Sequence, residues 1–313
     1  MFADLKNDYV FRRIFLRRPD LLRGLLNDLL ERRGAREIAE IEYLPSEQLP
    51  LVEGAKLSVL DVRCRERDGA TFVVEMQLLH TPGFENRVVY NACRSYAGQL
   101  KGGDPFAVLA DVVAISICDF ALWPDAKQDA AGLPRVPMLS RWNMSERNSR
   151  APGLLQVQYA FLELPKLPPG PPRTPTELWA WLFVHAKRLT AYPDLPQGPY
   201  REVLEMANEA SFTQLEHDAY FKAAVEIQQV RDLLEAELAK GIAKGRIEGR
   251  IEALIGVLER RGLTLDQDQR VRIATCTDTA VLSLWLDRAF TARTADEVFA
   301  AWGPEGRGDG AGR

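Results

Sequence analysis

Three residues carry most of the chemistry that can be read from this chain: Asp61, Glu75 and Gln77, within the stretch LSVLDVRCRERDGATFVVEMQLLH at positions 57–80. Two β-branched runs, 57–64 and 71–79, flank a polar segment in which Asp68-Gly69 is a turn signal, so the stretch reads as a hairpin. A two-residue loop would turn Asp61 away from the face that holds Glu75 and Gln77. A three-residue loop, Arg67-Asp68-Gly69, instead pairs Asp61 with Glu75. Directly opposed residues have Cβ atoms roughly 4.5–5.5 Å apart, and two carboxylates so placed repel one another unless a cation lies between them. A divalent metal is the economical answer. Gln77 follows Glu75 by two residues and projects from the same strand face. The bland alternative is a pair of ordinary strand acids on a solvated face.

The elements that must position this stretch are legible on either side of it. Residues 4–33 read as two helices, with Val10, Phe11, Ile14 and Phe15 in one apolar stripe and Leu21, Leu22, Leu25, Leu26, Leu29 and Leu30 in another. Pro19 and Asp20 divide them. Asp8 stands at the start of the first helix, where an acid suits the cap or the first turn. Arg12, Arg13, Arg17, Arg18 and Arg23 lie along the pair, as a solvated face or a DNA contact. A first strand is expected at 38–44. After the hairpin, 84–101 reads as a helix on which Arg87, Asn91, Arg94, Gly98 and Lys101 recur at steps of three and four. Such a stripe suits a phosphate backbone, and it equally suits solvent.

FAVLADVVAISICDF, 106–120, is the continuous apolar run of a strand buried on both faces, and 154–164 gives another strand. The expected fold is α/β (α+β), a mixed sheet flanked by helices and followed by a helical C-terminal region. PKLPPGPPRTP marks a boundary, because its prolines cannot enter regular elements. The expected division is a domain at 1–165, a linker at 166–176, a helical region at 177–262, a small helical unit at 263–302 and a disordered tail at 303–313. Within the helical region Gly241, Gly245 and Gly249 recur every four residues. Each costs a helix roughly 1 kcal/mol relative to Ala, so close approach of a second subunit, giving a homodimer, or a flexible joint is expected there.

The chain has 313 residues, 46% of them hydrophobic, and a formal net charge of −4. That balance is unlike a high-affinity nonspecific DNA binder, so any nucleic-acid contact must come from a local basic face. No stretch is long and apolar enough for a membrane span, and the N-terminus lacks a signal core, so the expected location is the cytoplasm. Cys64, Cys93, Cys118 and Cys276 are scattered without metal spacing; the first three are expected as reduced core residues.

An acid, then acid-x-polar, on neighbouring strands resembles the metal-binding core of the PD-(D/E)XK nuclease fold. More narrowly, LKNDYVFRRIF, LDVRC, VEMQ, the helix from Arg87 through Tyr90, Tyr96 and Gln99, VVAISICDF and FLELPK, with GIAKGRIEGR less closely, resemble the Rpn family, the recombination-promoting nucleases also described as putative transposases. The resemblance implies a restriction-endonuclease-like core and a DNA endonuclease that promotes recombination. Asp61 and Glu75 would hold Mg²⁺, with Mn²⁺ as substitute; Asp8 would add an acid from the first helix; Arg87, Asn91, Arg94 and Lys101 would contact DNA. Gln77 stands where many members of the wider superfamily carry lysine, whereas Rpn proteins resemble this chain in carrying Gln. A neutral amide orients water or phosphate but adds no charge, so either the metal supplies more of the electrostatics or a nearby cation, Arg63, Lys56 or Arg87, substitutes, and slow turnover is expected. The competing expectation is a nuclease-fold module that binds DNA or protein without cutting.

Overall fold

The side chain of Asn7 accepts hydrogen bonds from the N–H groups of Tyr9 and Val10 and so starts α1 (Asp8–Arg17). Pro19 then occupies the first position of α2 (Pro19–Leu29), where its missing N–H costs nothing, and the two helices part at Arg18. Both expected apolar stripes, except for half-buried Leu30, are buried in the computed structural model, which describes residues 1–48, 58–67, 69–149, 151 and 153–300.

Next come β1 (Ile41–Tyr43), β2 (Glu47–Gln48), β3 (Ser58–Val59), β4 (Val62–Glu66) and β5 (Thr71–Gln77). Helix α3 (Phe84–Ala97), β6 (Val112–Cys118), α4 (Asp125–Ala130), β7 (Leu139–Trp142) and β8 (Val157–Glu163) follow. Six strands form one sheet in the order β1-β4-β5-β6-β8-β7. The β5–β6 and β6–β8 pairs are parallel, and the outer pairs are antiparallel. Every residue of β6 is buried, as its unbroken apolar run requires of a central strand.

Alternation along the strands divides the core between two faces. Phe72, Val74 and Met76 join Val10, Phe11, Ile14 and the leucines of α2 on one side. Val73, Val112, Ala114 and Phe161 meet Phe84, Val88 and Ala92 of α3 on the other. The sheet is therefore covered by helices on both faces.

Several sequence expectations shift. The 57–64 run is not one strand: β3 and β4 are separated by a bend at Asp61, while Leu57 and Asp68 lie outside the described residues. The 106–120 run starts as a short 3-10 turn, Phe106–Val108. Part of the expected loop after β6 is strand β7, made regular by pairing with β8. Cys64 and Cys118 are buried, but Cys93 is exposed.

The proline-rich segment is a connection within the first compact unit, Met1–Gln228, and not its end. Helices α5 (Pro175–His185) and α6 (Tyr200–Ala207) bury Trp179, Phe183 and Leu204 in the same core as α1 and α2, so the apolar surface of that core is completed only after the prolines. Helix α7 (Gln214–Arg260) runs uninterrupted through Gly241, Gly245 and Gly249. Its end packs with α8 (Gln267–Thr275), α9 (Thr279–Ala289) and α10 (Ala295–Phe299) around Leu254, Leu258, Ile273, Leu282 and Trp285. Val271 and Phe290 stand outside that core, 50% and 61% exposed. The expected tail at 303–313 lies outside the described residues.

Helix α1 is held by complete burial of Phe11. Phe11→Ala should destabilise the protein by about 3–5 kcal/mol, read as a lower urea midpoint. A loss under about 1 kcal/mol would mean that this contact does not anchor the helix.

Candidate active site

The hairpin has the register that a three-residue loop demands. Val62 pairs with Val74, Arg63 with Val73, Cys64 with Phe72 and Arg65 with Thr71. The ladder ends at Val62, one residue before the acid. Asp61 is therefore not a strand residue opposite Glu75; its Oδ2 accepts the N–H of Met76 at 2.7 Å, a donor that the departing strand leaves free. The acid is thus fixed to the backbone between Glu75 and Gln77. Its Oδ1 accepts from Nη2 of Arg12 at 3.0 Å, and Nε of Arg12 meets Oδ1 of Asp8 at 2.9 Å. Asp8 is the first residue of α1, while Asn7 is its cap.

Glu75 and Gln77 share the α3 face of β5. Glu75 is 6% exposed, and its Oε1 accepts from the amide of Asn91 at 2.8 Å. Gln77 accepts from Nη2 of Arg87 at its Oε1 and donates from Nε2 to the carbonyl of Met76 at 3.1 Å. Both side chains of α3 reach the strand because residues four apart share a helix face.

The expected cationic stripe on α3 is not an open one. Arg87 is exposed, but Asn91 and Arg94 are buried, and Arg94 lies against the ring and hydroxyl of Tyr90. Lys101 lies beyond the end of the helix, exposed in a turn. The periodicity gave the common side correctly; the core beneath Val88 and Ala92 took that side inward.

Burial, and not mutual repulsion, is what perturbs the acids. Asp61 is pushed up from 3.8 to about 7, first by desolvation and then by the charge of Asp8, against the opposing pull of the Met76 N–H and Arg12. Glu75 is also raised by burial, against the amide of Asn91 and the charge of Arg87. Both groups signal a shortage of positive charge.

Two further pairs close this end of the sheet. Lys6 Nζ meets Asp119 Oδ2 at 2.6 Å, and the N–H of Asp119 donates to the carbonyl of Gln77 at 2.8 Å. Fully buried Glu163 accepts from Lys166 Nζ at 3.1 Å and from the N–H of Trp123 at 3.1 Å. Lys6 and Glu163 were not singled out from sequence, and Arg12 was read only within a run of arginines that forms a solvated face or a DNA contact. The spacing of Asp8 and Arg12 by four on a helix could have shown their pairing, but not the reach to Asp61. Arg63, a candidate cation, is half-buried with no hydrogen-bond partner for its Nε among the described residues, and Lys56 lies outside them.

Among the described residues, no three His, Cys, Asp or Glu side chains form a ready-made metal group. Magnesium does not need one, since it commonly binds one or two carboxylates and fills its remaining positions with water and substrate phosphates. Asp61 and Glu75, buried oxygen donors short of positive charge, fit that use.

The raised pKa of Asp61 sets a sign for stability. Its neutral form is favoured in the folded protein, so that contribution is complete below about pH 4 and is lost as pH rises through about 7. Asp61→Asn keeps an acceptor for Met76 without the charge. In metal-free buffer, wild type should therefore lose stability relative to this variant between about pH 4 and pH 7, seen in melting temperatures; parallel profiles would contradict the buried-acid assignment.

No curated protein and no solved structure matches the chain. The profile of the PD-(D/E)XK nuclease family transposase matches residues 5–232, from just before α1 into α7, and spans every strand and both flanking helix layers. With the mixed sheet, the acids at the end of the β4–β5 hairpin and a match over most of its length, the chain belongs to the PD-(D/E)XK nuclease family transposases.

Proposed function

We propose that the protein is a metal-dependent DNA endonuclease whose cuts promote recombination, with Asp61 and Glu75 holding Mg²⁺ and Mn²⁺ able to replace it. The observation that carries this reading is a pair of carboxylates, Glu75 buried and Asp61 largely enclosed, at one end of a sheet whose family generally uses divalent metal ions. Phosphodiester hydrolysis adds water across one P–O bond, leaving a phosphate on one end and a hydroxyl on the other. A divalent ion there would supply activation of the water and stabilisation of charge on the attacked phosphate.

The chain's own groups do the positioning. Asp61 is held by the N–H of Met76 and Glu75 by Asn91, so neither carboxylate must be ordered when substrate arrives. Gln77 brings no charge, but it holds the guanidinium of Arg87. A cation that many relatives place on the strand is thus delivered from α3. Arg87 and Lys101 are exposed and meet phosphates in this reading, while Asn91 and Arg94 support the site from beneath. Turnover is slow, because the positive charge at the reacting phosphate sits on a longer and less confined side chain than a strand lysine.

A noncatalytic DNA-binding or protein-binding module is the second reading. It is favoured by the guanidinium of Arg12 already seated on Asp61. Purified protein and supercoiled plasmid separate the two. Wild type should nick or linearise DNA with Mg²⁺ or Mn²⁺ and not with EDTA. Asp61→Ala should abolish cutting, and Arg87→Ala should slow it on the order of 10²-fold. Folded wild type inert in both metals would leave the binding module.

The glycines of α7 are read as the contact of a homodimer. Among the described residues, nothing lies within 4 Å of the place a Cβ would take at Gly241, Gly245 or Gly249, so a neighbouring backbone could approach closely. Light scattering should give a dimer for wild type and a monomer when all three become Leu; a monomeric wild type would remove this reading.

A further inference from the structure

Arg12 presents Nε and Nη2, neighbouring donors on one edge of its guanidinium, to two different carboxylates. Nη2 hydrogen-bonds Asp61, whereas Nε lies in ion-pair range of Asp8, 2.9 Å away, without the alignment of a hydrogen bond. This edge is the one that closes as a two-pronged fork on a single carboxylate, the stronger arrangement. The site instead splits it. Asp61 already gives its Oδ2 to Met76, so the oxygen Arg12 holds is the one left for an incoming cation. The helix that carries Arg12 is fixed by Phe11, Ile14 and Phe15 in the core, whereas the arginine side chain is 35% exposed and that of Asp8 is 54% exposed. The guanidinium can move while its helix stays.

We propose that Arg12 is a displaceable counter-ion: it neutralises Asp61 in the free protein and withdraws onto Asp8 when a divalent cation binds. Asp8 then serves to receive Arg12 and is not a ligand of the ion. Charge favours the exchange. Asp61, Glu75 and Asp8 outnumber the two guanidiniums beside them, those of Arg12 and Arg87, so an incoming cation meets net negative charge. After withdrawal both donors of Arg12 can close on Asp8 as a fork, which offsets part of the hydrogen bond given up at Asp61. The proposal rests on the reading of Asp61 and Glu75 as the metal pair, and it makes Arg12 a positioning residue.

The test is Mn²⁺ binding without DNA, measured by the loss of the free-ion signal in electron paramagnetic resonance, with circular dichroism confirming the fold. Arg12→Gln should tighten Mn²⁺ about tenfold, the worth of one charge-assisted hydrogen bond no longer to be broken. Asp8→Asn should weaken it several-fold in the wild-type background and change it less than about twofold beside Arg12→Gln, because the receiving role vanishes with the arginine. Equal weakening in both backgrounds would make Asp8 a ligand and overturn the proposal. So would unchanged or weaker binding in Arg12→Gln. Should that variant not fold, Arg12→Met, which keeps the length of the side chain but removes its charge, must also bind more tightly than wild type. Asp61→Asn separates the two layers: if it binds Mn²⁺ as well as wild type, the metal pair itself is wrong.

Discussion

The site depends on one hydrogen bond, from the N–H of Met76 to the carboxylate of Asp61. Strand β5 continues past the point where β4 turns away, and on that side the N–H of Met76 has no ladder partner. A buried donor left without an acceptor is costly. The side chain of Asp61 takes the place of the missing strand, which ends the ladder and fixes an acid at the sheet's end. Structural and chemical demands therefore fall on the same atoms: the residue that completes the backbone pairing is the residue that a divalent ion would need.

The rest of the fold brings cations to that point from two directions. Helix α1 covers one face of the sheet and offers Lys6 before its start and Arg12 within it. Helix α3 covers the other face and offers Arg87, with Asn91 a turn further on. The helices can do this only because strict alternation along β5 sends Phe72, Val74 and Met76 to the α1 core and Val73, Glu75 and Gln77 towards α3. A slip of one residue in the hairpin would exchange the two sets and bury the acid among the leucines of α2.

This explains what could be read in advance. Loop chemistry gave the register, since a turn of defined length leaves only one pairing, and period-two alternation then placed Glu75 and Gln77 on one face. The β6 run was legible because a central strand needs apolar residues on both sides. The inner or outer sense of the α3 stripe was not. Arg87, Asn91 and Arg94 share a side by spacing alone, but whether that side meets water or core depends on the sheet that Val88 and Ala92 pack against. The partner of Arg12 was equally hidden: a long flexible side chain reaches across 49 positions to Asp61, and only the folded geometry decides which acid it meets. Strand β7 escaped notice because its regularity comes from pairing with β8 and not from its own composition.

The donors around the acids share one property. Met76 N–H, Asn91 and Gln77 are neutral, so they orient without adding charge, and the nearby cations are each shared: Arg12 with Asp8, Lys6 with Asp119, Arg87 with Gln77. An ordinary structural acid pair would be expected to hold its own cation tightly, since leaving a buried carboxylate short of charge costs stability. Here burial lifts the pKa of both carboxylates while their surroundings return only part of the missing charge. A protein that keeps such a deficit has given up stability for something. In the proposed reading, a doubly charged ion, arriving with its own waters and an anionic substrate, would restore by its binding what the fold withholds.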